Sequence, residues 1–167
     1  MPESIDHNKP DIADGERRVE RRASRGPRSR DRTDSVEQEH PEELPKLLAV
    51  EDNPEMLMLL KHLLSVSYEV HTGINMTTAL EEIDANQFEV VLMDINLGTR
   101  ETGVDVLHAI RNRPTYAETP VIAVTAYALP GDRERFLEEG FDAYIGKPFT
   151  RQQLFRLLKT VVPPRDS

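Results

Sequence analysis

The sequence predicts an α/β protein whose central sheet is parallel and covered by helices on both faces. Three observations lead there. From Lys46 onward, strand-like runs alternate with helical patterns five times over about 120 residues, the pattern of repeated strand–helix crossovers. The runs Lys46–Val50, Phe88–Met93 and Val121–Val124 are rich in Val, Leu and Ile with little alternation, as strands buried on both faces are. The runs also end in chemistry-bearing residues. Glu51 and Asp52 follow one, Asp94 follows another, and Lys147 ends a third within Gly146–Phe149. An open α/β sheet assembles its site at the carboxyl ends of its strands.

Taken in order, residues 1–45 come first. They are rich in Arg, Glu, Asp, Ser and Pro and poor in large apolar side chains. Such a segment cannot bury enough surface to offset its ordering entropy, so it is predicted to be a disordered charged tail. It carries nine basic and twelve acidic groups, with eight arginines gathered between Arg17 and Arg32. A solvated polyampholyte is the simplest reading, and an arm for an acidic partner or RNA is the sharper one. Arg21-Arg22-Ala23-Ser24 resembles a basophilic kinase site. The folded domain is predicted over residues 46–163, followed by a short C-terminal tail, 164–167. Strands are expected at 47–50, 68–71, 88–93, 121–124 and 143–145, and helices at 54–65, 75–85, 103–112, 131–139 and 151–161. Asn53 and Pro54 suit the cap and first turn of the first helix. Pro130-Gly131-Asp132 opens the fourth, and Gly73 and Gly140 mark breaks.

Composition narrows the function. With no cysteine, disulfides, thiol catalysis and zinc–thiolate sites are excluded. No apolar stretch approaches the roughly 18 residues of a membrane helix. The first 45 residues have no apolar signal-peptide core, and their twelve acidic groups argue against a transit peptide. A cytoplasmic protein with no membrane partner is expected. Net charge is −9, and residues 46–167 are acidic in their own right, which disfavours nonspecific nucleic-acid binding. His7, His40, His62, His71 and His108 show no metal spacing.

Glu51, Asp52 and Asp94 brought to one edge would repel, so they would take up protons or recruit a cation. Hard oxygen donors with positions left for water suit Mg²⁺.

Residues 46–163 resemble a response-regulator receiver domain. The matching pieces are Val50-Glu51-Asp52-Asn53-Pro54, Met93-Asp94-Ile95-Asn96, Gly103, Val124-Thr125-Ala126 and Tyr144-Ile145-Gly146-Lys147-Pro148-Phe149, each at its expected place in the strand–helix succession. The resemblance implies a flavodoxin-like, chemotaxis-regulator-like sheet in the order 2-1-3-4-5, an order that this family itself exemplifies. It implies Mg²⁺ held by the side chains of Asp52 and Asp94 and the backbone carbonyl of Asn96, with Glu51 acting through water. Asp94 is then the phospho-acceptor, attacking a phosphoryl group on a partner histidine. Lys147 supplies a counter-charge and Thr125 a hydroxyl, while small Ala126 leaves the phosphate reachable.

Thr125 and Tyr144 form the implied switch, biasing the surface of the fourth helix, fifth strand and fifth helix. Asn96 and Tyr127 tune phosphate lifetime, and the ring of Tyr127 predicts slow autodephosphorylation. Met56 and Pro148 lie among positions that dock a phosphodonor. The implied partners are a histidine kinase or histidine phosphotransfer protein and a downstream target protein. A monomer or a weak phosphorylation-dependent dimer is expected.

The chain departs from the family at one loop. Asp94 to Gly103 spans nine steps where eight are usual, and Gly98 stands where the family has proline. The terminal Pro163-Pro164-Arg165-Asp166-Ser167 leads to the expectation of a stand-alone receiver without a DNA-binding domain. Leu129–Phe136 resembles receivers of hybrid kinases and suggests a relay. Two alternatives use the same residues differently. A haloacid-dehalogenase-type phosphatase would want an acid where Asn96 stands, and a non-phosphorylated binding module would want a degenerate acidic site.

Overall fold

The fold is described from a computed structural model, and the description covers residues 42–126 and 129–164. The predicted tail before residue 42, with its arginine block, lies outside the described residues, as do Tyr127, Ala128 and residues 165–167.

Five strands and five helices alternate: β1 (Lys46–Val50), α1 (Pro54–Leu64), β2 (Glu69–Gly73), α2 (Met76–Ala85), β3 (Val90–Asp94), α3 (Gly103–Arg111), β4 (Val121–Thr125), α4 (Asp132–Glu139), β5 (Ala143–Gly146) and α5 (Arg151–Val161). All neighbouring strands pair parallel, in the order β2-β1-β3-β4-β5. The expected fold is therefore the one found.

Every residue of β3 and β4 is buried, because helices cover both faces. On one face Leu57, Leu60 and Leu64 of α1 and Leu154 and Leu158 of α5 pack on Leu47, Leu92 and Ile122. On the other, Ala79 and Ile83 of α2, Val106, Leu107 and Ile110 of α3 and Phe136 of α4 pack on Leu48, Val91 and Ala123. Each fully buried side chain of the Val, Leu, Ile or Phe type contributes about 1.5–3 kcal/mol.

The caps set where helices begin. The Asn53 side chain accepts from the Met56 amide, as its position predicts. Asn75 and Thr78 form a reciprocal capping box at α2, and Thr150 and Gln153 form another at α5. β3 begins two residues later than the apolar run suggests. The Phe88 amide donates to the Tyr116 hydroxyl at 3.3 Å, and pairing with β4 starts only at Val91. Tyr116, in a single 3-10 turn (Pro114–Tyr116) that periodicity does not reveal, is among the largest fully buried side chains. Its hydroxyl also donates to the Asn86 carbonyl, and burial raises its pKa, so the phenol stays neutral.

The register fixes the site. Val50 of β1 lies beside Met93 of β3, Asp94 beside Val124, and Thr125 beside Gly146. At the ends of these pairs or one step beyond them, Glu51, Asp94, Thr125 and Lys147 therefore stand at one edge.

Candidate functional site

Glu51, Asp52 and Asp94 each offer a carboxylate oxygen, and these oxygens all lie within 4.8 Å of one another. Glu51 is 2 % exposed and Asp94 6 %, whereas Asp52 is open to solvent. The Lys147 ammonium reaches in from the end of β5, donating to Glu51 Oε2 at 2.5 Å and Asp94 Oδ2 at 3.2 Å. Burial works to lower its pKa, but the Glu51 hydrogen bond and the charges of Asp94 and Glu51 outweigh that. Its pKa lies above that of a free lysine, and it stays an ammonium at neutral pH.

Three carboxylates against one ammonium leave the pocket short of positive charge, and a hard divalent cation fits a donor set of carboxylate oxygens. Glu51 spends one oxygen on Lys147 and the other on the Asn53 amide. It is thus already engaged through both oxygens, whereas no described group bonds the Asp52 carboxylate.

Thr125 ends β4 with no exposure, and its carbonyl accepts the Lys147 amide at 2.7 Å. Asn96 is exposed just past β3; its amide donates to Asp94 Oδ1 and its side chain accepts from the Gly98 amide. Tyr144 is half-buried on β5 and stacks on Phe136 of α4, centroids 5.9 Å apart and planes within 14°. Burial and the charge of Asp132 raise its pKa, keeping it a neutral phenol. Met56 is half-buried against the core, while Met58 and Leu59 on the same helix are 73 % and 46 % exposed. The apolar excess of α1 thus reaches the surface further along the helix than the expected residue. Pro148 is exposed beside Lys147.

The extra residue between Asp94 and Gly103 is taken up ahead of α3. Thr102 and Asp105 form a capping box, and the Gly103 amide donates to the Ile95 carbonyl at 2.9 Å. Gly103 has no room for a side chain, since a Cβ there would lie 2.2 Å from the Asp94 carbonyl oxygen. Sequence reasoning misses two features of this region. One is Phe136 as the stacking partner of Tyr144, and the other is the approach of Gly98 to Asp52. Neither has a local sequence signal, because both depend on how separate elements pack.

The response regulator receiver domain family matches residues 47–159, which span all four of these clustered side chains. The chain belongs to that family. Among curated relatives, this receiver is 34 % identical over 118 residues to the signal transduction histidine-protein kinase BarA of Escherichia coli K12, covering 70 % of this chain but 13 % of that protein. It is 34 % identical over 119 residues to the polar-differentiation response regulator DivK of Brucella anthropi, covering 70 % of this chain and 96 % of DivK. The receiver thus spans about an eighth of the kinase it matches and nearly all of DivK. Among solved structures, the receiver domain of sensor histidine kinase PA1611 from Pseudomonas aeruginosa PAO1 superposes with a TM-score of 0.65 at 32 % identity, over 71 % of this chain and 98 % of that one. That structure is described with a magnesium ion coordinated in its active site cleft. Chemotaxis protein CheY4 of Vibrio cholerae superposes with a TM-score of 0.66 at 28 % identity over the same shares. No helix among the described residues is long and apolar enough to cross a membrane.

Proposed function

We propose that residues 46–163 accept a phosphoryl group on Asp94 from a phosphohistidine of a kinase or histidine phosphotransfer protein, and pass the signal on through a protein contact or relay the phosphate. The observation that carries this reading is the meeting of Asp94 with two further carboxylates and a lysine at one strand edge. A carboxylate oxygen of Asp94 attacks phosphorus, and the imidazole of the donor leaves. Asp52, Asp94 and the backbone carbonyl of Asn96 would hold Mg²⁺, with Glu51 acting through water. Bound there, the ion supplies positive charge to the phosphoryl oxygens. Lys147 neutralises the acyl phosphate from the other side, and the Thr125 hydroxyl hydrogen-bonds it.

Movement of Thr125 toward the phosphate would free space for Tyr144. Because Tyr144 stacks on Phe136, the change would be felt by α4 and hence by the surface of α4, β5 and α5. Asn96 and Tyr127 tune the lifetime of the phosphate, which decays slowly on this reading. Met56 and Pro148 face the donor, joined by the exposed Met58 and Leu59. The protein is a monomer or a weak dimer when phosphorylated.

The test is intact-mass measurement after phosphoramidate treatment with Mg²⁺. The wild type should gain one phosphoryl group and Asp94→Asn none. An unlabelled wild type, or equal labelling of the variant, overturns the proposal.

A further inference from the structure

The loop after β3 brings Gly98 against the outer acid, Asp52. Its φ is +66°, a left-handed conformation, and a Cβ built there would lie 2.7 Å from Asp52 Oδ2. That oxygen and its own carboxyl carbon at 3.8 Å are all such a Cβ would meet. Two side-chain turns place the loop there. Asp94 Oδ1 accepts the Asn96 amide at 3.2 Å, and Asn96 Oδ1 accepts the Gly98 amide at 3.1 Å. The chain thus leaves the end of β3 and crosses to the outer acid of β1.

Asp52 is the acid with most freedom to move. It is exposed, and no hydrogen bond or ion pair holds its carboxylate among the described residues. Glu51 and Asp94, by contrast, are buried and each is bonded to Lys147. A Cβ at residue 98 would meet the mobile tip of a side chain, so Asp52 would rotate and the backbone would stay. This is the reverse of Gly103, where the obstacle is a backbone carbonyl.

We propose that Gly98 is a positioning residue for divalent-cation binding: its missing side chain leaves Asp52 the space to turn toward Glu51 and Asp94. The inference rests on the reading of Asp52 as a metal ligand. It assigns the replacement of the family's usual proline a chemical role. The lengthened loop meets the outer acid at residue 98, and glycine there leaves that ligand in place.

The experiment is a Mg²⁺ titration of the whole chain, followed by amide NMR, on wild type, Asp52→Asn, Gly98→Ala, Gly98→Asn and Gly131→Ala. Turning Asp52 out of its rotamer should weaken Mg²⁺ binding about tenfold in Gly98→Ala. Gly98→Asn should weaken it similarly, since asparagine tolerates the left-handed backbone yet still carries a Cβ. Gly131 has φ +89° with nothing within 4 Å of a Cβ, so Gly131→Ala strains the backbone alone and should bind Mg²⁺ like wild type. If Asp52→Asn binds as wild type does, or wild type does not bind, the ligand reading fails and takes this inference with it. If Asp52→Asn loses binding while both Gly98 variants keep wild-type affinity, the ligand reading stands and the role of Gly98 is overturned. Weakening in Gly131→Ala equal to that in Gly98→Ala also overturns it, because strain alone would then suffice.

Discussion

α3 and α4 lie on the same face of the sheet, follow adjacent strands and have nearly equal length, yet they are held in opposite ways. α3 starts on the backbone of Asp94 itself, with Gly103 pressed against that residue's carbonyl and a capping box at Thr102 and Asp105. It buries Gly103, Val106, Leu107 and Ile110. Beyond its end, Arg113 donates back to the Ala109 carbonyl and forms a two-bond pair with Asp84 of α2. α4 has a left-handed glycine at each end, no side-chain cap and one buried residue, Phe136. Phe136 is held by rings, Phe141 edge-on and Tyr144 stacked. The helix beside the proposed acceptor is thus anchored at its start and beyond its end, and the helix after Thr125 is held mainly through Phe136. Elements that move are drawn from the weakly held end of a fold.

Four measurements press on this contrast. The largest effect is expected from Gly103→Ala. Its Cβ would meet backbone, which cannot yield, so overpacking should cost about 3 kcal/mol or more in urea unfolding and impair labelling of Asp94. Wild-type stability in this variant would mean that α3 is not anchored at Asp94. Next, native-state hydrogen exchange should place α4 amides well below α3 amides in protection. Phe136→Ala should lose about 3 kcal/mol, with the loss concentrated in α4. Equal protection in the two helices would dissolve the distinction.

A smaller effect comes from the tether of α3. The Arg113 hydrogen bond and charge hold the Asp84 pKa below its ordinary value. A depressed carboxylate stabilises the fold above its unfolded pKa, and that contribution is lost as pH falls through the folded one. Wild type should therefore be more stable than Arg113→Ala at neutral pH, and the gap should narrow on acidification. A gap that widens toward acid would reverse the sign. The smallest effect is expected at His108–Glu139, an exposed contact at 3.3 Å between the two helices. His108→Ala should change stability by no more than about 1 kcal/mol.

Much of this is legible in the sequence, and for physical reasons. Buried parallel strands leave continuous apolar runs, and caps such as Asn53 leave a signature beside the helix they start, so order and boundaries can be read closely. The acids at the strand ends and Lys147 are legible because a parallel sheet sends all its carboxyl ends to one side. What escapes depends on the third dimension. Tyr116 reaches Asn86 and Phe88 across about thirty residues of chain, and its burial follows from packing that periodicity does not encode. The sequence points to Met56 as the sticky residue of α1, yet it is half-buried while Met58 and Leu59 emerge. A helix with apolar residues on several faces does not announce which one is turned inward. The extra loop residue is visible as a count, but the meeting of Gly98 with Asp52 is not.

The ends of the folded unit have a practical consequence. The Glu69 amide bonds the Pro45 carbonyl at the start of β2, and Val162, Pro163 and Pro164 lie beside Tyr68 at that same pole. The acids and Lys147 sit at the other pole, a strand length of roughly 16 Å away. A dye, a surface tether or a fused reporter joined near residue 45 or residue 164 would therefore depart from the far pole and leave the mouth of the pocket clear. Immobilised by either end, the domain can still be offered a phosphodonor, so binding and phosphorylation can be followed on a single oriented surface.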